Sequence, residues 1–354
     1  MDVGVQMIFQ NYRGECSDGE VVAAEMHTAT QAELLGFDKI WPVEHHFTDY
    51  AACPDNTQFL SWAAAKTERI GLATGAFILP WNDPLRVAEK ITLLDHMSGG
   101  RAILGLGRGL ARREYAGFGI DMGESRARFD EAAAMILDAL DCGFIEGDGP
   151  HYPQARTPIR PRPLRGFRDR LYSVGMSPES VEQAAKLGAQ LMVFSQMPWE
   201  SFATSTLVAY RDTFEQTHGR PAPPVLTVDL MLCHEDAGTA EALASEHMAA
   251  YYISVLDHYE IMSEHFKKTK GYEMYAAAAD VLGQLDIQEI ARGYVAVQSG
   301  GTPQQILDSL ATRRELLGDF ELSVIVNYGG LPFAAAAASM ETFSRKVLPE
   351  VRGW

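Results

Sequence analysis

Three consecutive side chains capable of acid–base chemistry, Glu44, His45 and His46, follow an apolar run over residues 37–43. Such a run is typical of a strand buried on both faces, and strands of this kind form parallel sheets with helices between them. In the barrel form of that architecture, reactive groups collect at the carboxyl ends of the strands. A carboxylate beside two imidazoles could exchange protons there near neutral pH, although the same residues could simply cap a turn.

Other strand ends of the predicted sheet carry groups that suit an anion. Arg108 lies between two glycines after the apolar run 102–106, and Ser177 and Ser180 open a helix after the run 171–175. Hydroxyls, free backbone N–H groups and the helix dipole favour an anion, and a guanidinium supplies the matching charge. Each signal alone also fits a helix cap or a surface ion pair. Together, at one edge of the sheet, they predict a site for a phosphate-bearing cofactor.

Two hydrolytic functions are disfavoured. A metal hydrolase on a barrel would need two histidines separated by one residue after the first strand. The first strand here ends in Phe9-Gln10-Asn11, with no histidine. His96 and His234 show no ligand spacing either. Glycoside hydrolysis needs two facing carboxylates, and only Glu44 is well placed. We therefore predict neither a bound metal nor a glycosidase.

The elements that must position these residues alternate regularly. The sequence predicts eight strands, most of them separated by helices. This number is typical of an α/β protein with a (β/α)8 TIM barrel. The predicted strands span residues 3–9, 37–43, 70–79, 102–106, 171–175, 191–194, 223–233 and 320–327. We expect one barrel domain over residues 1–354, with an insertion between the seventh and eighth strands.

Composition limits the partners and the compartment. The net charge of −17 would repel a nucleic-acid backbone, and no apolar run approaches the ~20 residues of a membrane span. Cys16, Cys53, Cys142 and Cys233 are scattered, which suits a reducing compartment. The amino terminus shows no signal peptide. We expect a cytoplasmic protein that binds neither nucleic acid nor membrane.

Two stretches interrupt the alternation. Residues 144–170 hold five prolines and six arginines, which we interpret as a surface excursion. Residues 258–301 combine Lys267, Lys268 and Lys270 with apolar side chains such as Tyr272 and Tyr275. Long excursions in compact barrels are often lids, so we predict that this segment closes over the site. The alternative is a helical pair packed permanently against the barrel or a partner subunit.

These residues resemble the bacterial luciferase family of flavin-dependent monooxygenases. The similarity covers nearly the whole chain and is densest over residues 44–126. It is carried by Glu44-His45-His46-Phe47-Thr48-Asp49-Tyr50, Gly75-Ala76, Ile78-Leu79-Pro80, Pro84-Leu85-Arg86, Arg108-Gly109-Leu110, Ser125-Arg126 and Gly301-Thr302-Pro303-Gln304.

The resemblance implies a barrel that binds reduced FMN, usually supplied by a separate reductase, and that usually forms a dimer. It implies that the flavin reacts with O2 to give a C4a-(hydro)peroxide in a dry pocket. His45 falls on the family's catalytic base, and Gly75-Ala76 on a non-prolyl cis peptide or bulge beneath the flavin. The implied cofactor-binding residues are Glu44, Gly75, Ala76, Arg108, Met176, Ser177 and Ser180. Gly107 and Met176 depart from the light-emitting subunit, which has cysteine and glutamate there, so luminescence is not implied.

We therefore expect a two-component, FMNH2-dependent monooxygenase that inserts one oxygen atom from O2 into a small apolar organic substrate. The sequence leaves open whether the reaction is a Baeyer–Villiger or aldehyde oxidation, or a hydroxylation. Apolar side chains at or after strand ends are the predicted substrate wall: Phe9, Trp81, Leu110, Tyr115, Phe118 and Phe194. The alternatives are a deazaflavin-dependent dehydrogenase and a non-catalytic flavin-binding protein, the latter disfavoured by the intact His45.

Overall fold

Eight parallel strands close into a barrel in the computed structural model, which describes residues 1–354. Each strand pairs with the next along the chain, and the last pairs with the first, with Val3 opposite Leu322. The strands are β1 (Val3–Met7), β2 (Lys39–Pro42), β3 (Gly71–Ala73), β4 (Ala102–Gly107), β5 (Leu171–Val174), β6 (Gln190–Phe194), β7 (Val225–Cys233) and β8 (Phe320–Ile325). The predicted (β/α)8 barrel is confirmed.

Helices cover the outside of the barrel, and their ends follow local sequence rules. Ser17 and Glu20 form a capping box, Pro84 occupies a first-turn position, and Gly143 ends a helix in the left-handed conformation. The longer helices are Asp18–Leu34, Asn56–Ala64, Pro84–Met97, Ser125–Cys142, Pro178–Lys186, Thr206–His218, Ala249–His258, Glu273–Leu282, Ile287–Val295, Pro303–Leu317 and Phe333–Lys346. The shorter ones are Arg112–Gly117, Trp199–Thr204, Ala237–Leu243 and Leu348–Arg352, with 3-10 turns at Tyr12–Gly14, Leu79–Trp81, Met122–Glu124 and Phe266–Lys268 and a π turn at Ala244–Met248. None of the helices combines the length and apolar character that a membrane crossing requires.

The core explains why the strands appear in the sequence as continuous apolar runs. All nine residues of β7 are buried, as are all six of β4, because side chains face either the barrel interior or the helices. One continuous hydrophobic cluster joins the barrel to its helices. A second, smaller cluster contains Tyr115, Met122, Phe266 and Tyr272 and brings the segment 258–301 against residues 110–122.

Three predicted elements differ from the structure. The strand predicted over 70–79 divides into β3 and a short strand, Phe77–Ile78, because residues 74–76 turn out of the ladder. The surface excursion predicted over 144–170 contains two strands that the sequence did not reveal, Phe144–Gly147 and Gln154–Pro158, which form an antiparallel pair. The segment 258–301 contains the helices Glu273–Leu282 and Ile287–Val295 and a strand, Ser299–Gly301, paired with β7. Its mobility stays a prediction.

Glu25 is a buried carboxyl group beneath the end of β1. Its Oε1 accepts the Phe9 backbone N–H at 3.1 Å, while Oε2 has no hydrogen-bond partner. Phe9 itself has a φ of 59° in the left-handed region, so this contact holds an unusual backbone conformation at the rim of the barrel. Burial raises the pKa of Glu25 to about 7.

The raised pKa makes stability depend on pH. Well below pH 4.5, Glu25 is neutral in both the folded and the unfolded chain. Between about pH 4.5 and 7 the unfolded chain loses this proton while the folded chain keeps it, so the free energy of unfolding falls as pH rises. Glu25→Gln should therefore gain stability relative to the wild type over this interval, by an amount on the order of 3 kcal/mol at pH 8. Urea denaturation at several pH values measures the difference.

Glu33 on the same helix is the matched control. Its carboxylate accepts backbone N–H groups of Glu68, Arg69 and Ile70, which lower its pKa. Glu33→Gln should therefore lose stability at neutral pH, and the difference from wild type should shrink as pH falls through the folded pKa. The same pH trend in both variants would contradict the assignment to Glu25.

Candidate active site

Glu44, directly after β2, organises the loop that follows the interrupted third strand. Its Oε1 accepts from Trp81 Nε1 and Asn82 Nδ2, both at 2.7 Å, and its Oε2 accepts from Ile78 N at 3.1 Å. The carboxylate is buried, so these donors are needed to stabilise it. Glu44 thus fixes Trp81 beside the histidines, while its predicted contact with a cofactor stays a prediction.

His45 forms a dyad with Glu114, a residue of the helix Arg112–Gly117. His45 Nδ1 lies 3.0 Å from Glu114 Oε1, and the same oxygen accepts the His46 backbone N–H at 2.7 Å. The buried carboxylate therefore makes Nδ1 the protonated nitrogen of His45 and leaves the Nε2 lone pair free to accept. The Tyr259 hydroxyl lies 3.2 Å from Nε2. This arrangement suits general base chemistry.

A second buried imidazole lies beside the dyad. His258 Nε2 is 3.9 Å from Glu114 Oε1, and His258 Nδ1 is 3.2 Å from Thr48 Oγ1. Burial lowers the pKa of His258 to about 2, so the ring is neutral. One ligand atom from each of His45, Glu114 and His258 lies within 4.8 Å of the others, a spacing that could hold a metal ion. The sequence spacing did not reveal this group, because its members come from three separate elements.

The predicted anion site gathers two arginines and two serines. Ser177 caps the helix Pro178–Lys186 and its Oγ lies 3.1 Å from Ser180 Oγ, which accepts from Arg126 Nη2 at 3.1 Å. Burial, and then the neighbouring Arg108, lower the pKa of Arg126. Neither guanidinium forms a direct salt bridge, although the carboxylates of Asp130 and Glu179 lie near enough to Arg126 to favour its charge. Arg126 was part of the family resemblance but not of the predicted cofactor contacts.

Arg108 connects this anion site to the segment 258–301. Its Nη1 donates to the Gly271 carbonyl at 3.1 Å, and its guanidinium lies 4.2 Å from the centre of the Tyr272 ring. The Tyr272 hydroxyl bonds Gly109 O at 3.1 Å and Ser125 Oγ at 3.0 Å. The segment therefore lies over the predicted phosphate residues in this structure.

The peptide bond between Gly75 and Ala76 is cis, as the resemblance implied. The two carbonyls accept from Gln6 Nε2 at 2.9 Å and Asn56 Nδ2 at 3.0 Å. A Cβ at Gly75 would lie 2.9 Å from the Cβ of Trp41, so only glycine fits there. Met176, the other predicted contact on this rim, accepts the Phe194 N–H with its sulfur at 3.3 Å.

The predicted substrate wall is brought together in part. The Trp81 ring lies 5.0 Å from that of Tyr115 and stacks 5.4 Å from that of Phe118, and Leu110 packs against the same small cluster. Phe9 instead packs edge-on against Phe59 in the main core, and Phe194 also packs against that core. The structure does not bring these last two into the aromatic group.

Phe47 covers the helix that carries Glu114. Its ring lies against Gly117, where an added Cβ would approach the Phe47 ring to 2.3 Å, and it neighbours Phe118 at 5.3 Å. Phe47 has a φ of 67°, and 63% of its surface is exposed. The close contact therefore depends on glycine at position 117.

The barrel is closed and parallel, and its histidine–carboxylate dyad and arginine–serine cluster lie on the rim where enzymes of this fold have their active sites. The model of the luciferase-like monooxygenase family matches residues 1–319, and this chain belongs to that family. The alkanal monooxygenase alpha chain of Photorhabdus laumondii subsp. laumondii is 24% identical over 341 residues, covering 94% of this chain and 93% of that protein.

Solved structures support the same fold. Monooxygenase RslO1 from Streptomyces bottropensis is 28% identical with a TM-score of 0.75, covering 99% of this chain and 100% of that one. The oxygenating constituent of 3,6-diketocamphane monooxygenase from Pseudomonas putida, a type II Baeyer–Villiger monooxygenase in complex with FMN, has a TM-score of 0.77 at 17% identity and coverages of 99% and 98%. The coenzyme F420 dependent tetrahydromethanopterin reductase from Methanopyrus kandleri has a TM-score of 0.69 at 18% identity and coverages of 99%.

Proposed function

We propose that this protein is a two-component, FMNH2-dependent monooxygenase that transfers one oxygen atom from O2 to a small apolar organic substrate. The observation that carries the proposal is that two arginines without a direct salt bridge, Arg108 and Arg126, lie on the same rim as the His45–Glu114 dyad. Membership of the luciferase-like monooxygenase family supports oxygen transfer. A separate reductase would supply the reduced flavin, and the protein would act as a homodimer.

The residues present fit a flavin phosphate. Arg108 and Arg126 offer positive charge that no carboxylate contacts directly, and Ser177 and Ser180 add hydroxyls at a helix start. Charge-assisted contacts of this kind favour phosphate over neutral ligands. Gly75, where the structure leaves no room for a side chain, would be among the residues that hold the flavin. When bound, the reduced flavin would react with O2 and supply the oxygen atom.

The other residues of the rim would control protons and water. His45, with Nδ1 bound to Glu114, would take a proton at Nε2, and the carboxylate would stabilise the imidazolium that results. Trp81, Tyr115 and Phe118 would line an apolar pocket for the substrate. Tyr272, in contact with Arg108, would exclude solvent from the phosphate end.

The F420-dependent neighbour makes a deazaflavin dehydrogenase the second candidate. Both cofactors carry phosphate, so the arginine site does not separate them. Incubation with reduced FMN, O2 and a panel of ketones, aldehydes and aromatic compounds is expected to give oxygenated product with coupled O2 consumption. Substrate oxidation with F420 under anaerobic conditions, without any O2-dependent product, would favour the dehydrogenase instead.

A further inference from the structure

The Tyr259 side chain contacts the nitrogen of His45 that faces away from Glu114. Its hydroxyl lies 3.2 Å from His45 Nε2, opposite the Nδ1 that binds Glu114 at 3.0 Å. Because Nδ1 carries the proton, Nε2 can only accept, and the phenol must donate. Carboxylate, imidazole and phenol thus form one continuous chain of hydrogen bonds.

The Tyr259 backbone is held against the helix that supplies Glu114. Tyr259 ends the helix Ala249–His258, and its N–H bonds the Val255 carbonyl at 3.1 Å. On one side of it, Arg112 forms a two-pronged ion pair with Glu260, at 3.0 and 2.6 Å. On the other side, Arg113 donates to the Asp257 carbonyl at 3.1 Å. Arg112, Arg113 and Glu114 are consecutive, so one short helix positions both ends of the relay.

The surroundings of the phenol keep it oriented. The Tyr259 ring lies 4.7 Å from that of His258 and 5.7 Å from that of Tyr50. A phenol is protonated at neutral pH, so the hydroxyl can act as a donor there. While the Tyr259 hydroxyl is bonded to Nε2, His45 cannot contact a substrate directly. Proton transfer through that hydroxyl is the simpler explanation of the geometry.

We propose that Tyr259 relays protons between His45 and the reacting centre while the segment 258–301 covers the site. In the relay, the phenol O–H bond breaks as an Nε2–H bond forms on His45. The acid at the reacting centre gives its own proton to the Tyr259 oxygen in the same event. The reacting centre loses one proton, His45 gains one, and Tyr259 ends unchanged, with no electrons transferred. This inference rests on the proposed function, because the acid belongs to the flavin-dependent reaction.

Tyr259→Phe removes only the hydroxyl and is the decisive variant. Product formation with reduced FMN and O2 is expected to fall by about 100-fold, the low end of what a general acid–base group contributes. The solvent deuterium isotope effect on product formation is also expected to decrease, because one fewer proton moves. Tyr252→Phe is the matched control, since Tyr252 lies on the same helix and stacks on Tyr294 at 4.1 Å without contacting His45.

A second measurement needs no flavin. In protein labelled with ¹⁵N-histidine, the His45 Nε2 resonance of Tyr259→Phe is expected to move downfield, toward a nitrogen that accepts no hydrogen bond. In Tyr259→Phe, the His45 Nδ1 resonance should remain at the position of a protonated nitrogen. In Tyr252→Phe, both His45 resonances should stay at their wild-type positions. Comparison with the spectrum of His45→Gln assigns the signals.

The two measurements separate this inference from the proposed function. A shifted Nε2 resonance in a protein that oxygenates nothing would confirm the contact and overturn the function, and the relay with it. Oxygenation that proceeds in Tyr259→Phe at the wild-type rate, with an unchanged isotope effect, would overturn the relay and leave the function standing. An Nε2 resonance that does not move would show that the hydrogen bond is absent in solution and would also overturn the relay.

Discussion

Replacing His45 with alanine is expected to reduce product formation by about 100-fold or more, the contribution of a lost general base. Flavin binding should remain nearly unchanged, because the arginine–serine site lies on other strands of the rim. The reduced flavin should still consume O2, and hydrogen peroxide should accumulate in place of product. Parallel assays of O2, peroxide and product measure the change.

His234→Ala is the matched control, because His234 is a half-buried histidine that bonds the loop at Asp236 and lies outside the dyad. This variant should keep wild-type coupling of O2 to product. If His45→Ala also keeps it, His45 is a structural residue, and the base must be sought in His46 or Glu44.

Replacing Arg126 with methionine is expected to weaken FMN binding by roughly 10- to 150-fold, the equivalent of ~1.5–3 kcal/mol for one charge-assisted contact. Riboflavin binding should barely change, since only FMN carries the phosphate. Arg126 is the cleaner choice of the two arginines, because Arg108 also holds Gly271 and Tyr272 and its loss would disturb the covering segment. Fluorescence titration with both flavins measures the two affinities.

Arg128 provides the control for this experiment. It lies on the same helix as Arg126 but pairs with Glu124 at 3.0 Å. Arg128→Met should leave both affinities at wild-type values. Equal losses of FMN and riboflavin affinity in Arg126→Met would mean that the arginine stabilises the protein and does not bind phosphate.

The barrel could be predicted from sequence because its strands are buried on both faces. Runs such as 102–106 and 223–233 are apolar without interruption, which distinguishes them from the amphipathic helices between them. The third strand was predicted as one piece because residues 70–79 contain a single polar residue, Thr74, whereas the ladder breaks at residues 74–76. Apolar composition therefore predicts that a strand is present, but it does not predict where the backbone leaves the sheet.

The site was predictable only where its residues immediately follow strands. His45, Arg108 and Ser177 follow strands within three residues, Ser180 lies in the first turn of the next helix, and the alternation of strands and helices places them on one rim. Glu114 and Tyr259 reach His45 from 69 and 214 positions away along the chain. Their positions depend on how a short helix and a helix end pack together, and no local pattern in the sequence encodes that contact.

The contact of Phe47 with Gly117 has a consequence for the tolerance of surface positions to mutation. Gly117 ends the helix that carries Glu114, and any side chain there would collide with the Phe47 ring. Relief of that collision would push either the ring or the helix outward, and movement of the helix would lengthen the 3.0 Å bond to His45. A larger residue at 117 therefore requires the Phe47 ring to move, and it weakens the dyad wherever the helix moves with the ring. Solvent exposure, often taken as a sign of freedom to vary, is a poor guide to constraint on this side of the barrel.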